Sequence, residues 1–181
     1  MKHRLLCTLG LIGMVAFGTS PAGADPKEKA SAMPSWNQTL PASKRFIVLS
    51  NMGGAAVLDR ETGLVWEQSP SAQTHQWWEA VHRCNTLNVG NRMGWRVPTI
   101  QELASLMDPS VPPPGPTLPS GHPFSNVQSL SYWSATTTFA AGTGAVWFAA
   151  LFNAGVGQVV PTTTQVLPVW CVRGGQGVDS Q

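Results

Sequence analysis

Gly94-Trp95-Arg96-Val97-Pro98-Thr99-Ile100-Gln101-Glu102-Leu103 carries the sharpest local instruction in the chain. Thr99 and Glu102 have the spacing of a capping box: the threonine hydroxyl accepts from the backbone amide at 102, and the glutamate reaches back to the amide at 99. A helix therefore starts at Thr99, with Ile100, Leu103 and Leu106 on its apolar face and with Pro98 and Asp108-Pro109 as its bounds. Upstream, Trp77, Ala80, Val81, Cys84 and Leu87 recur at three- and four-residue steps. That period predicts another amphipathic helix, Thr74 to Leu87, with Cys84 on its core-directed face.

The two helices are flanked by β-prone runs. Phe46 to Leu49, Ala55 to Leu58 and Leu64 to Trp66 come first, separated by Asn51-Met52-Gly53-Gly54 and by Asp59-Arg60-Glu61-Thr62-Gly63. The second separator reads as a hairpin turn with Gly63 in the left-handed region rather than as a calcium loop. Tyr132 to Thr136, Ala145 to Phe152, Val156 to Val160 and Val169 to Arg173 follow the helices, with a hairpin at Asn153-Ala154-Gly155. Between the two groups, Pro109 to Leu130 contains seven prolines and no period, which predicts a long surface loop. Strands, two helices, a loop and strands make an α+β plan with a mainly antiparallel sheet.

Chemistry-bearing patterns are sparse. There is no Gly-x-Ser-x-Gly, Walker loop, His-Glu-x-x-His or Cys-x-x-Cys. His75 and His82 are seven apart, about 10.5 Å along a helix, too far to share a zinc ion unaided. Glu67, Glu79, Glu102 and Asp108 are scattered, and no run of oxygen ligands for calcium occurs. The expectation is a protein that is not an enzyme and needs no cofactor or metal. Eight tryptophans against one tyrosine and six phenylalanines point instead to packing and to stacking. Trp66, Trp77, Trp95 and Trp170 fall in inward-pointing patterns. Trp133 and Trp147, on strands after the loop, and His122 within it, are the candidate ligand-binding residues.

Lys2, His3 and Arg4 precede an apolar run from Leu5 to Phe17 and the small residues Ala22-Gly23-Ala24, the three parts of a secretory signal peptide over 1–24. The run is too short to span a membrane. Residues 25–44 read as a flexible leader in which Trp36 either docks or stays exposed, 45–176 as the domain and 177–181 as a tail. Cleavage would leave nine basic and nine acidic residues, which excludes a strongly basic nucleic-acid binder. It would also leave two cysteines, Cys84 and Cys171, in an oxidising compartment. A disulfide between them is the natural inference, with two buried thiols as the alternative.

Five ordered motifs carry a family resemblance: Asp59-x-x-Thr62-Gly63-Leu64-x-Trp66, the helix with Cys84, Gly94-Trp95-Arg96-Val97-Pro98-Thr99 with Glu102-Leu103, Tyr132-Trp133-Ser134, and Cys171-Val172-Arg173-Gly174-Gly175. Together they resemble the family typified by the C-terminal domain of Lcl, a bacterial collagen-like surface adhesin. The resemblance implies a C-type-lectin-like fold, related to that of the formylglycine-generating enzymes, and a disulfide from Cys84 to Cys171. It transfers no catalytic residue, and the calcium-site motifs of true C-type lectins are missing. The expected function is an exported, periplasmic or cell-surface, non-enzymatic recognition and adhesion module. Its partner would be a glycan or a protein, bound through the Pro109–Leu130 loop and the segment Thr136 to Gly144. The alternatives are a periplasmic structural or assembly partner and, remotely, a catalyst like the formylglycine-generating enzymes.

Overall fold

The structure is a computed structural model that describes residues 38–140, 143–159 and 165–174. The expected signal peptide, Trp36 with most of the expected leader, and the expected tail lie outside the described residues. Among the described residues there are three α-helices and nine strands, and every strand pairing is antiparallel. The chain is therefore α+β, as its pattern of apolar periods requires.

A short helical turn, α1 (Ala42–Arg45), leads into β1 (Phe46–Val48), β2 (Ala56–Asp59) and β3 (Val65–Glu67). These form one sheet with the last strand, β9 (Val172–Arg173), in the order β1-β2-β3-β9. The β2–β3 turn is closed by Gly63 N–H to Asp59 O at 2.8 Å, with Gly63 at φ 71°, the left-handed geometry that glycine tolerates. Of the strand expected over Val169 to Arg173 only the last two residues form one, β9, while a separate short strand, β8 (Leu167–Pro168), precedes it.

Helix α2 (Trp77–Thr86) begins three residues later than its period suggests. Thr74 and His75 form β4 and pair with Pro168 and Leu167 of β8. The helix then starts at its own capping box, in which Glu79 Oε2 accepts from Gln76 N–H at 2.9 Å. In α3 (Ile100–Leu106) the cap predicted from the sequence is present in both directions, Glu102 N–H to Thr99 Oγ1 at 3.2 Å and Thr99 N–H to Glu102 Oε2 at 2.7 Å.

After the proline loop, β5 (Ser131–Ala140), β6 (Thr143–Ala150) and β7 (Gly155–Val159) form a three-stranded meander. The register of β5 on β6 shifts between Trp133 and Thr137. There Ala135 N–H turns to Pro98 O at 2.7 Å, and Ser134 O accepts from the indole of Trp77 at 2.9 Å, so the bulge ties the hairpin to both helical segments. Thr136 to Gly144, expected to be a variable surface segment, is largely hairpin arm.

Strand alternation divides the interior in two. Val57, Trp66, Tyr132, Trp170 and Val172 join Ile100, Leu103 and Leu106 of α3 in one core. Their chain neighbours Ala56, Trp133, Val169 and Cys171 join Ala80 and Cys84 of α2, with Trp95 and Val97, in the other. Trp66, Trp95, Trp133 and Trp170 are fully buried or nearly so, and truncating an indole in such a place costs about 3–5 kcal/mol. Among the described residues no helix is long and apolar enough to cross a membrane.

The end of the expected flexible leader is held down. Gln38 Nε2 donates to Ser105 O at 2.8 Å, and Leu40 N–H and Thr39 Oγ1 donate to Glu61 Oε1. Arg45 is buried, bidentate on Asp59 at 2.7 and 2.9 Å, and also bonded to Ser105 O. A buried guanidinium persists only with such pairing, so the folded domain begins ahead of β1.

Candidate functional site

The cysteines are joined: Cys84 of α2 and Cys171, just before β9, form a disulfide with Cα atoms 5.5 Å apart. Its surroundings were not legible in the sequence. Glu67 Oε2 accepts from Cys171 N–H at 2.8 Å, and Arg83 holds the same carboxylate at 2.9 and 3.2 Å while also reaching Cys171 Sγ. The first sheet, α2 and the last strand thus meet at one charged node beside the crosslink.

The other carboxylates singled out from the sequence are similarly engaged. Glu102, besides capping α3, takes a bidentate grip from Arg96 at 2.6 and 2.7 Å, and Arg96 also donates to Gly174 O. Glu79 caps α2. Asp108 accepts from the hydroxyl and the amide of Ser110, which holds its carboxyl below the usual range. Among the described residues no group of three or more His, Cys, Asp or Glu side chains is placed to hold a metal ion.

The three candidate ligand residues do not converge. Trp133 is fully buried in the α2-side core, and its indole N–H donates to His75 O at 2.7 Å. It offers no face to a ligand, which corrects its assignment as a contact residue. The reason is local: β4 lies over it, and Tyr132 beside it already serves the other core. Trp147 is half-buried against the α3-side core, with its carbonyl accepting from Ser134 Oγ at 2.7 Å. His122 is half-buried with its ring centroid 5.8 Å from that of Phe124, and its Nδ1 is buried without a hydrogen bond. Burial pushes its pKa below the ordinary value.

The loop that carries His122 is fixed in place. Asp108 N–H bonds to Thr117 O, Thr117 N–H to Leu151 O, Ser125 N–H to Gln68 O and Leu151 N–H to Leu130 O, at 2.8 to 2.9 Å. Contrary to a pure surface loop, its inner edge is core: Thr117, Leu118 and Phe124 are buried. The Phe124 ring packs edge-on against Trp170 and Phe46, with centroids 4.8 and 5.1 Å apart. Its outer edge remains open at Pro112 to Pro114 and at Ser120-Gly121. Leu130, Phe152 and Val156, at or beside the ends of the loop and on the neighbouring hairpin, are 40–50% exposed. A rigid rim with apolar side chains turned to solvent can bind without first paying to order itself.

Fold and site together define a disulfide-pinned α+β domain whose interior charges are committed to structure and whose long loop is presented on a fixed base. The sequence matches the family described as the Lcl C-terminal domain over residues 55–173, about two-thirds of the chain. The chain belongs to the Lcl C-terminal domain family. No curated protein matches it.

Proposed function

We propose that the chain is an exported, non-enzymatic recognition module of the periplasm or cell surface. It binds a glycan or a protein through the outer edge of the Pro109–Leu130 loop and the adjoining β5–β7 hairpins. The observation that carries this reading is the combination of a loop bonded to Gln68 and Leu151 with open apolar side chains at Leu130, Phe152 and Val156. Binding loops on rigid scaffolds have this construction. The reading keeps the C-type-lectin-like fold that the family resemblance implies, without calcium-dependent sugar chemistry. A second reading, a periplasmic assembly partner, draws on the same apolar side chains, because exposed Leu, Phe and Val suit a protein interface better than a sugar.

The test is a glycan-array screen of the disulfide-bonded domain, paired with pull-downs from periplasm, using Phe152→Ser and Leu130→Ser variants of unchanged circular dichroism. Binding that both substitutions abolish supports the loop face. Binding that both leave intact removes it. Array silence with a reproducible protein capture that depends on Phe152 selects the assembly partner, and turnover of any bound substrate overturns the non-enzymatic reading.

A further inference from the structure

A second surface, built on the other core, has a different chemistry. The 3-10 turn Ser50–Met52 and the tight turn between Val89 and Arg92 face each other across a shallow depression of about 340 Å³. Asn51, Met52, Gly53, Asn88, Gly90 and Asn91 line it. Val89 and Arg92 exchange backbone hydrogen bonds at 3.1 and 3.2 Å, with Gly90 and Asn91 both at φ 58° between them. The Trp95 indole donates to Arg92 O at 2.8 Å and fastens the turn to the core. A Cβ on Gly90 would lie 2.5 Å from Met52 Cβ and 2.7 Å from Met52 O. The two turns are therefore in backbone contact, and the spacing of the groups above them is fixed.

Three features decide what such a depression takes. Its side-chain polar groups are the amides of Asn51, Asn88 and Asn91, none of which is engaged by another described residue. Each amide offers two N–H donors and a carbonyl acceptor side by side, which matches the paired donor and acceptor of neighbouring hydroxyl groups. No charged side chain lines the depression, so a phosphate, sulfate or carboxylate would give up its hydration without a counter-charge. Its size is at the small end of ligand sites, and it is a closed pair of turns rather than a strand edge, so an extended peptide has no ladder to join.

We propose that this depression is a binding site for a neutral saccharide unit. The asparagine amides bond its hydroxyls, and Gly53, with open space where a side chain would be, lets the ring approach the backbone. Met52 belongs to the α2-side core, whereas the proline loop packs on the α3-side core, so the site is separate from the loop face and stands or falls without it.

The test is a ¹H–¹⁵N titration of the disulfide-bonded domain with glucose, galactose, mannose and N-acetylglucosamine, and with glucose 6-sulfate as the charged probe. Saturable shifts are expected at the side-chain amides of Asn51, Asn88 and Asn91 and at the backbone amides of Gly53 and Gly90. Asn51→Ala should weaken binding about two- to tenfold, as loss of one or two neutral hydrogen bonds does. Asn91→Gly, which keeps the positive φ of the turn, should do the same while leaving the spectrum of the free protein folded. Absence of saturable shifts with all four neutral sugars, shifts confined to the proline loop, tighter binding of glucose 6-sulfate than of glucose, or unchanged affinity in both variants would each overturn the proposal.

Discussion

Replacing both cysteines, Cys84→Ala with Cys171→Ala, should remove the strongest single restraint on the unfolded chain. The crosslinked residues are 87 apart in sequence. For a ring of that size the loop-closure relation gives about 4.5 kcal/mol of lost stabilisation at 25 °C, before any relaxation of the denatured ensemble is allowed for. Both cysteines are fully buried, so loss of the sulfurs adds a smaller packing term of the same sign. Against a total of about 5–15 kcal/mol for a domain of this kind, the double variant should be folded only marginally. The measurement is urea unfolding of both forms, followed by the fluorescence of the eight tryptophans. The free energy extrapolated to water should fall by about 3–5 kcal/mol, and the slope m should rise because the open chain exposes more surface. A loss below about 1 kcal/mol with an unchanged slope would refute the reasoning. It would mean that the Glu67–Arg83 node and the strand pairing already hold the chain ends together.

Other consequences are equally direct. Tyr132 is the sole tyrosine, and burial, partly offset by the Gln128 N–H bond to its oxygen, pushes its pKa up to about 12. Folding therefore gains in full below pH 10 and loses that contribution as the pH rises toward 12, so tyrosinate absorbance should appear only as the protein unfolds. A folded protein whose tyrosine titrates near pH 10 would contradict this burial. For His122 the sign reverses: burial lowers its pKa from 6.5, so its neutral form contributes fully above that pH and the contribution is lost as the pH falls through the folded value. The midpoint temperature of the native protein should drop more steeply below pH 6.5 than that of His122→Gln, and parallel curves would remove the assignment. Gly90→Ala, with φ +58° and Met52 backbone in its way, should cost at least about 2 kcal/mol in urea. Gly53→Ala, with φ +63° and open space around it, should cost about 1–2 kcal/mol, from the left-handed backbone alone. Equal costs would show that the two turns are not in contact.

What was legible in the sequence was local. The α3 cap is complete within Thr99 to Glu102, and the Asp59–Gly63 turn closes on itself, so both are specified by residues a few positions apart. The start of α2 was not, because Thr74 and His75 continue its polar pattern and are claimed by β8, more than ninety residues away. Trp133 illustrates a further limit. Tyr132 and Trp133 are both large and aromatic, and only the packing of β4 and β6 determines which core each enters. The pairing of Arg45, Arg83 and Arg96 was not legible, since their partners Asp59, Glu67 and Glu102 sit on other segments or beyond a turn. The proline content of the loop announced irregular backbone, but nothing in it announced that Thr117, Leu118 and Phe124 face inward. The asparagine-lined depression joins residues of two unrelated turns, and no spacing rule connects them.

The division of the interior into two cores also shapes how substitutions combine. Residues adjacent in the chain, such as Tyr132 and Trp133 or Trp170 and Cys171, answer to different sets of neighbours. A change of volume at Trp133 is therefore to be compensated at Trp95 or Val146, its partners in the α2-side core, and not at Tyr132. In a lineage of such domains the correlated changes would sort into two interleaved groups, each running from β2 to the Val169–Val172 segment, so that the two sides of one stretch of chain evolve almost as though they belonged to separate proteins.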